Sequence, residues 1–328
     1  MHQGEVETLQ VTPVIDDMHA FPYTPMGMNT DPTTNMSDPS EYHMNLLVWN
    51  CRGAANANFR RSLGDLISTN HPDIVVLTET RLSGDRATQT ASQFPFDGFF
   101  STETRGLFGG IWIMWRTDHV QLDISSSTEH KVHVVARVNH PNSSSWHLYA
   151  IYASPCPRER EILWHNLCNV AESVNTPWVV LEDFNEVASS IEKFGGQAVN
   201  VNRVLAFNAM LDRCSLTDLG YTGPRFTWTN LRSSSSLIME RLDRVVANLS
   251  WHLLFLEAMV QYLPRTHSDH RPILLKLNPT MSTMNRPFRF ESIWLSHIGF
   301  KNLVRNSWEQ ADFDHSKAIP LFKKNAQH

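Results

Sequence analysis

Cysteine is scarce in this sequence. Four thiols, Cys51, Cys156, Cys168 and Cys214, are spread over 328 residues with no C-x-x-C pair. That excludes a disulfide scaffold or a zinc framework and points to reduced, intracellular thiols. No apolar run approaches the ~20 residues needed to span a bilayer. The N-terminus lacks the basic region and apolar stretch of a secretion signal. Positive charge is not in excess either, since the formal net charge is -5. A nucleic acid would therefore be met by a local basic patch or by cation-screened carboxylates, not by the whole surface. No strong basic localisation run occurs.

What is present is apolar material: 41% of residues are hydrophobic and 19% charged, enough for a single core of roughly 220–250 residues. Residues 1–43, rich in Met, Pro, Thr and Asp and without a sustained period, read as a disordered leader. From Met44 the texture changes. Strand-type runs are expected at 45–50, 74–77, 110–115, 132–138, 146–152, 178–181, 225–228, 242–247 and 272–277. Helical spacing marks Phe59, Leu63, Leu66 and Ile67. It also marks Leu163, Leu167, Val170 and Val174 after Pro157, and Val204, Phe207 and Leu211. Many short strands with few helices indicate an α+β sandwich of two packed sheets flanked by helices. No internal repeat is visible, and the Ser run at 233–236 reads as a loop tip. Residues 279–287 read as a linker, and 288–308 carry aromatics at helical spacing. The expected organisation is thus a leader (1–43), a catalytic domain (44–278) and a linker with a partial helical segment (279–328).

Four clusters place polar or acidic groups at strand ends, where rigid platforms converge. They are Asn50 after Val48-Trp49, Glu79 after Val76-Leu77-Thr78, Glu182-Asp183-Phe184-Asn185 after Val180-Leu181, and Ser268-Asp269-His270 before 272–277. Carboxylate and amide oxygens suit Mg²⁺, and a His–Asp pair supplies acid/base or electrostatic help to phosphodiester hydrolysis. Each cluster alone has an ordinary structural explanation. Glu79 could be a solvated strand end, Asp-Phe-Asn an Asx-turn, and Ser-Asp-His a loop cap. Asp243 in Arg241-Leu242-Asp243-Arg244 could be a surface ion-pair member, and Tyr152 a sheet aromatic.

The order of the set carries more than its parts. Trp49-Asn50-Cys51-Arg52-Gly53, Thr78-Glu79-Thr80, Tyr152-Ala153-Ser154-Pro155, Asp183-Phe184-Asn185, Arg241-Leu242-Asp243-Arg244 and Ser268-Asp269-His270 follow one another. They resemble the six successive motifs of the endonuclease/exonuclease/phosphatase superfamily, over roughly residues 44–277. The segments Phe108-Gly109-Gly110-Ile111-Trp112, Gly223 through Asn230 and Leu263-Pro264-Arg265-Thr266-His267 are similar to the endonuclease domains of plant LINE-type (non-LTR) retrotransposons. Pro287-Phe288-Arg289-Phe290-Glu291 resembles the spacer before their reverse transcriptase. No Tyr/Phe-x-Asp-Asp polymerase motif follows, so the reverse transcriptase domain is expected to be absent from this chain.

The resemblance implies a DNase I-like, four-layer α/β-sandwich with two mixed sheets. It implies Mg²⁺, or Mn²⁺ in its place, on Glu79, with Asn50 close by and Asp269 as a further ligand or neighbour. Asp183 would orient and deprotonate the attacking water. Asn185 would hold the phosphate or the developing charge, and Tyr152 would contact the phosphate. His270 would bind a non-bridging oxygen, with Asp243 fixing its tautomer. The expected reaction nicks DNA, leaving a 3′-hydroxyl and a 5′-phosphate. The expected setting, inferred from the substrate, is the nucleus, with the cytoplasm as the alternative; the expected partner is DNA, with no membrane.

One position departs from the pattern: Glu182 stands where the family has Gly, a residue that admits φ > 0 and close backbone approach. Either Glu182 points to the opposite strand face and weakens activity, or it distorts the site by placing a second charge beside Asp183. Other functions remain in view. They are a phosphatase acting on small phosphoesters such as inositol phosphates, a catalytically dead binding module, and repair of abasic DNA.

Overall fold

The first helix shows how local signals set the element boundaries. The Asn56 side chain accepts from Phe59 N at 2.8 Å, and His71 ends the helix in the left-handed region. Phe59, Leu63, Leu66 and Ile67 form its buried face. The computed structural model describes residues 44–104, 109–140, 143–279, 300–311, 314, 317, 318, 321 and 322. The expected leader and most of the expected linker lie outside these residues.

In chain order the elements are β1 (Asn45–Asn50), α1 (Ala57–Asn70), β2 (Ile74–Thr78), α2 (Gly84–Ala91), β3 (Gly98–Ser101) and β4 (Trp112–Trp115). Next come β5 (Val120–Ser127), β6 (Lys131–Val138), β7 (Trp146–Tyr152), α3 (Pro157–Ser173), β8 (Trp178–Asp183) and β9 (Lys193–Phe194). Then follow α4 (Val201–Arg213), β10 (Thr217–Asp218), β11 (Trp228–Thr229), β12 (Met239–Glu240) and β13 (Asp243–Ala247). The last are α5 (Leu249–Leu254), β14 (Met259–Tyr262), β15 (Ile273–Lys276) and α6 (Phe300–Gln310).

One six-stranded sheet runs β14-β15-β1-β2-β4-β3 and the other β10-β13-β8-β7-β6-β5. Each contains a single parallel pair, β1–β2 in the first and β7–β8 in the second, joined through α1 and α3. All other pairings in the two sheets are antiparallel. A small sheet of β11-β12-β9 stands apart, tied to the first by a bridge between Trp228 and His270.

The core follows strand parity. Leu46 and Val48, Ile74 and Val76, Leu148 and Ala150, Val179 and Leu181, and Val245 and Ala247 pack between the two sheets. The alternate residues Leu47, Trp49, Val75 and Leu77 pack outward with Phe59 and Leu63 of α1. On the other flank Tyr149, Ile151, Val180 and Val246 meet Leu163 and Leu167 of α3 and Phe207 of α4. This is the expected sandwich of two mixed sheets flanked by helices.

The sequence reading missed several elements. β3 opens on a glycine, yet a Cβ at Gly98 would lie 2.1 Å from the Trp115 indole, so the residue that reads as a strand breaker is the one the pairing needs. β5 ends in serines, and α2 and α5 are too short to establish a period. The expected strand at 225–228 is reduced to Trp228–Thr229. Of the helical spacing at 288–308, residues from Phe300 are helical and 288–299 lie outside the described residues.

Asn248 ties the start of β8 to α5. Its Oδ1 accepts from Trp178 N and Trp251 N, both at 3.0 Å, and its Nδ2 donates to Thr176 O at 2.9 Å. Asn248→Ala removes a helix cap and a strand anchor together, so the expected loss is about 1–2 kcal/mol. Urea unfolding measures it, and an unchanged midpoint would show that water replaces the amide.

Candidate active site

Parity also delivers the site. At the far end of the gap between the sheets the inward residues stop being apolar. β1 passes from Leu46 and Val48 to Asn50, and β2 from Ile74 and Val76 to Thr78, immediately before Glu79. β7 ends in Tyr152, β8 passes from Val179 and Leu181 to Asp183, and β13 begins with Asp243. Both parallel pairs end here in register, Asn50 beside Thr78 and Tyr152 beside Asp183. Asp243 faces Asp183 across the antiparallel β8–β13 pair.

Asp183 is the hub. Its Oδ2 accepts from Asn50 Nδ2 and from Asn185 Nδ2, each at 3.1 Å, and its Oδ1 accepts from Asn185 N at 2.8 Å. His270 Nε2 lies 3.9 Å from the same Oδ2. The other ring nitrogen, Nδ1, sits 2.9 and 3.0 Å from the two oxygens of Asp243. Asn50 Nδ2 also donates to Glu79 Oε1 at 2.9 Å. Burial first, then the nearby Glu79 and Asp183 carboxylates, keep the Tyr152 phenol protonated. Asp269 is held by Trp228 Nε1 at 2.9 Å on Oδ2 and by Arg52 Nε at 3.0 Å on Oδ1. Asn50, Glu79, Tyr152, Asp183, Asn185, Asp243, Asp269 and His270 thus form one connected cluster, although 220 residues separate its ends.

The charge states follow from burial and neighbours. Burial alone would strip the proton from His270, but the Asp243 and Asp183 carboxylates outweigh it and raise the imidazole to about 10. Burial, reinforced by Asp243 and opposed by His270, lifts Asp183 to about 7. Glu79 moves the other way: burial is overcome by Arg52, Asn50 and Arg81, and the carboxyl stays ionised below its usual range. Asp269 is likewise lowered against burial, by His270 and Arg52.

The donor set suits a hard divalent cation. Glu79 and Asp269 offer only oxygen, Asn50 brings an amide oxygen that here accepts from Arg52 N at 3.3 Å, and Arg52 and Arg81 already hold Glu79 in its ionised form. Among the described residues Asp183, Asp243 and His270 also bring ligand atoms within 4.8 Å of one another. That trio suits proton and charge handling better than a cation, because the proton on Nδ1 points at Asp243 and the imidazole is held in its charged form.

Several contributors were assigned no role from the sequence, although Ser268, Arg241 and Arg244 stand inside the six motifs. Ser268 Oγ donates to Asn50 O at 2.8 Å, locking the motif before β15 onto the end of β1. Thr227 Oγ1 accepts from Leu242 N and Asp243 N, at 2.9 and 3.1 Å. Arg241 and Arg244 are buried partners of Glu192 and Asp218, and Arg241 donates to Tyr262, whose hydroxyl donates to Asp243 O at 3.0 Å. Asp243 is therefore no surface ion-pair member; it is buried above a buried ionic layer. Arg52 stands inside the first of the six motifs, where the sequence reading assigned it no role, and Arg81 sits two residues beyond Glu79.

Glu182 does not point to the opposite strand face. Its φ of +105 lies where glycine is at ease, and this turns the side chain back into the gap between the sheets. There its Oε2 accepts from Thr78 Oγ1 at 2.6 Å and from Asp183 N at 2.7 Å. Its partner across the pairing, Arg244, faces the helices instead. With burial first, and Asp243 and Asp183 adding repulsion, the Glu182 carboxyl is raised well above its usual value.

Below about pH 4.5 both folded and unfolded chains keep the Glu182 proton. Above it the unfolded chain releases the proton and the folded chain retains it, so stability falls as pH rises toward the folded pKa. Glu182→Gln cannot ionise. It is expected to gain on the wild type by up to about 1.4 kcal/mol per pH unit between pH 5 and 7, read by urea unfolding. Parallel pH profiles would refute the raised carboxyl.

The pattern of the Endonuclease/Exonuclease/phosphatase family matches residues 47–270. No curated protein matches significantly. Among solved structures the fold is similar to the AP endonuclease LMAP from Leishmania major, with 14% identity, a TM-score of 0.54, and 75% of this chain and 92% of that one covered. It is similar to the 3′-5′ exonuclease NExo from Neisseria meningitidis, with 19% identity, a TM-score of 0.53, and 72% and 100% covered. It is similar as well to the endonuclease domain of TRAS1, a telomere-specific non-LTR retrotransposon, with 16% identity, a TM-score of 0.53, and 73% and 100% covered. At these identities the likeness speaks for the two-sheet fold, while the family pattern spans well over half of the chain; the chain belongs to the endonuclease/exonuclease/phosphatase family.

Proposed function

We propose that this chain is a Mg²⁺-dependent phosphodiesterase that nicks DNA in the manner of a retroelement endonuclease, leaving a 3′-hydroxyl and a 5′-phosphate. The observation that carries the reading is the single carboxylate oxygen of Asp183, shared by two amides, with the His270 imidazolium 3.9 Å away. The retroelement setting is supported by the linking segments around Phe226 and Pro264 and by the similarity to the TRAS1 endonuclease domain. DNA as substrate places the expected action in the nucleus.

Glu79, Asn50 and Asp269 would hold the cation, with Mn²⁺ as a substitute; a bound divalent ion supplies charge neutralisation at the phosphoryl oxygens. The chain's own groups do the rest. Asp183, lifted to about 7, is suited to accept a proton from water near neutral pH. Asn50 and Asn185 fix the orientation of its carboxylate. His270, protonated and aimed by Asp243, offers Nε2–H to a non-bridging oxygen. The Tyr152 phenol, which burial and the neighbouring carboxylates keep protonated, contacts the phosphate as a donor.

A second reading, a retroelement-derived binding module without turnover, is favoured by Glu182, whose carboxyl intrudes among the catalytic carboxylates. Supercoiled-plasmid nicking with Mg²⁺ against EDTA tests both. Nicking is expected in Mg²⁺ alone. It should drop about 10²–10³-fold in His270→Ala and reach background in Glu79→Ala, and a DNA polymerase should extend the nicks directly. Binding without nicking would support the second reading, and release of phosphate from inositol phosphates would identify a small-phosphoester phosphatase. Because the backbone at position 182 is glycine-like, Glu182→Gly is expected to raise the nicking rate several-fold. An unchanged rate would clear Glu182 of damaging the site.

A further inference from the structure

The Glu79 carboxylate is held by two guanidinium groups. Its Oε2 accepts from Arg81 Nη2 at 2.6 Å and from Arg52 Nη1 at 3.2 Å. Arg52 also donates through Nε to Asp269 Oδ1 at 3.0 Å. One guanidinium thus spans two carboxylates that lie 190 positions apart in the chain. Bridging these two groups is the task proposed above for a divalent cation. The charges also match, since two arginines balance two carboxylates where one divalent ion would do so.

The backbone supports a built arrangement. Arg52, Glu79 and Arg81 have φ of +54, +49 and +55, so three non-glycine residues adopt left-handed conformations to bring these side chains to one spot. The exposure of the partners differs. The Arg52 and Arg81 side chains are 36% and 35% exposed, while Glu79 is 4% exposed. The guanidinium groups have room to swing toward solvent, and the buried carboxylate cannot follow them. An ion and a guanidinium cannot share the same oxygens at bonding distance without strong repulsion between their charges.

We propose that Arg52, assisted by Arg81, is a resident counter-cation for the Glu79–Asp269 pair, and that a divalent ion binds by displacing it. Arg52 is on this account a positioning residue that sets how tightly the chain holds its metal. The proposal rests on the metal site of the preceding reading. Without an ion, the arginines keep a buried carboxylate paired and the fold intact. Their displacement opposes metal binding, so removing Arg52 tightens it.

Calorimetric titration of the full chain with Mg²⁺ tests this without any measure of turnover. Arg52→Ala is expected to lower the Mg²⁺ Kd about tenfold, to melt earlier than wild type in EDTA, and to show a larger rise in Tm on adding Mg²⁺. Arg52→Lys keeps the charge without the fork and should fall between the two; it serves as the reading if the alanine variant fails to fold. An unchanged or weaker Mg²⁺ affinity in the variants, with wild-type binding intact and abolished by Glu79→Gln, overturns the proposal and leaves the metal site standing. Wild-type binding that is indifferent to Glu79→Gln refutes the metal site itself, and this inference with it.

Discussion

A β-strand has two faces, and this molecule uses the alternation for two purposes at once. On β1, β2, β7, β8 and β13 the residues that face the opposing sheet are apolar along most of the strand and become Asn50, Thr78, Tyr152, Asp183 and Asp243 at one end. The packing that fixes the register of the core therefore fixes the site to the same precision. A slip of one residue in β8 would move Asp183 to the helix side and bury Val180 between the sheets. The two parallel pairs matter for the same reason. Their in-register ends place Asn50 and Thr78 on one sheet across from Tyr152 and Asp183 on the other.

Burying this many acids together requires compensation, and it comes in pieces. Glu79 and Asp269 are balanced by Arg52 and Arg81, and Asp243 by His270. Asp183 is only partly balanced, and burial reinforced by Asp243 lifts it to about 7. Beneath these, Arg241 and Arg244 pair with Glu192 and Asp218, and Tyr262 carries that layer's hydrogen bonding to the Asp243 backbone. Such a layer holds one arrangement firmly, because losing any member leaves the buried charges unbalanced. Backbone strain gathers here too. Of the eight non-glycine residues with positive φ among the described residues, five are Arg52, Glu79, Arg81, Glu182 and Asn185.

The sandwich and the cluster were legible in the sequence to different depths. Apolar runs such as 74–77 and 148–151 announce themselves, because burial on both faces leaves little polar interruption. Gly98–Ser101 and Val120–Ser127 do not, since one opens on a glycine required by Trp115 and the other ends in exposed serines. The acidic, amide and His members of the cluster were visible as strand-end groups in a family order. Their partners were not. Whether Arg52 reaches Asp269, 217 residues away, depends on the packing of two distant loops, and no local pattern encodes that.

Glu182 shows how a residue's meaning can hang on one torsion. Read by alternation, it belongs on the face of Val180 and Arg244, toward the helices. The strand is regular up to Leu181, then turns through φ +105 to place Asp183 and Asn185, and that turn reverses the side chain of whatever residue occupies 182. A glycine would have nothing to reverse. A glutamate is carried into the gap, where Thr78 and the Asp183 amide bond its carboxyl and Asp183 and Asp243 oppose its ionisation. The protonated acid is thus the form that the surroundings accept, and in that form it adds hydrogen bonds across the two sheets without adding charge. The geometry that makes position 182 suited to glycine is the same geometry that aims Asp183, so the family's preferred residue and the site's hub are consequences of one bend in β8.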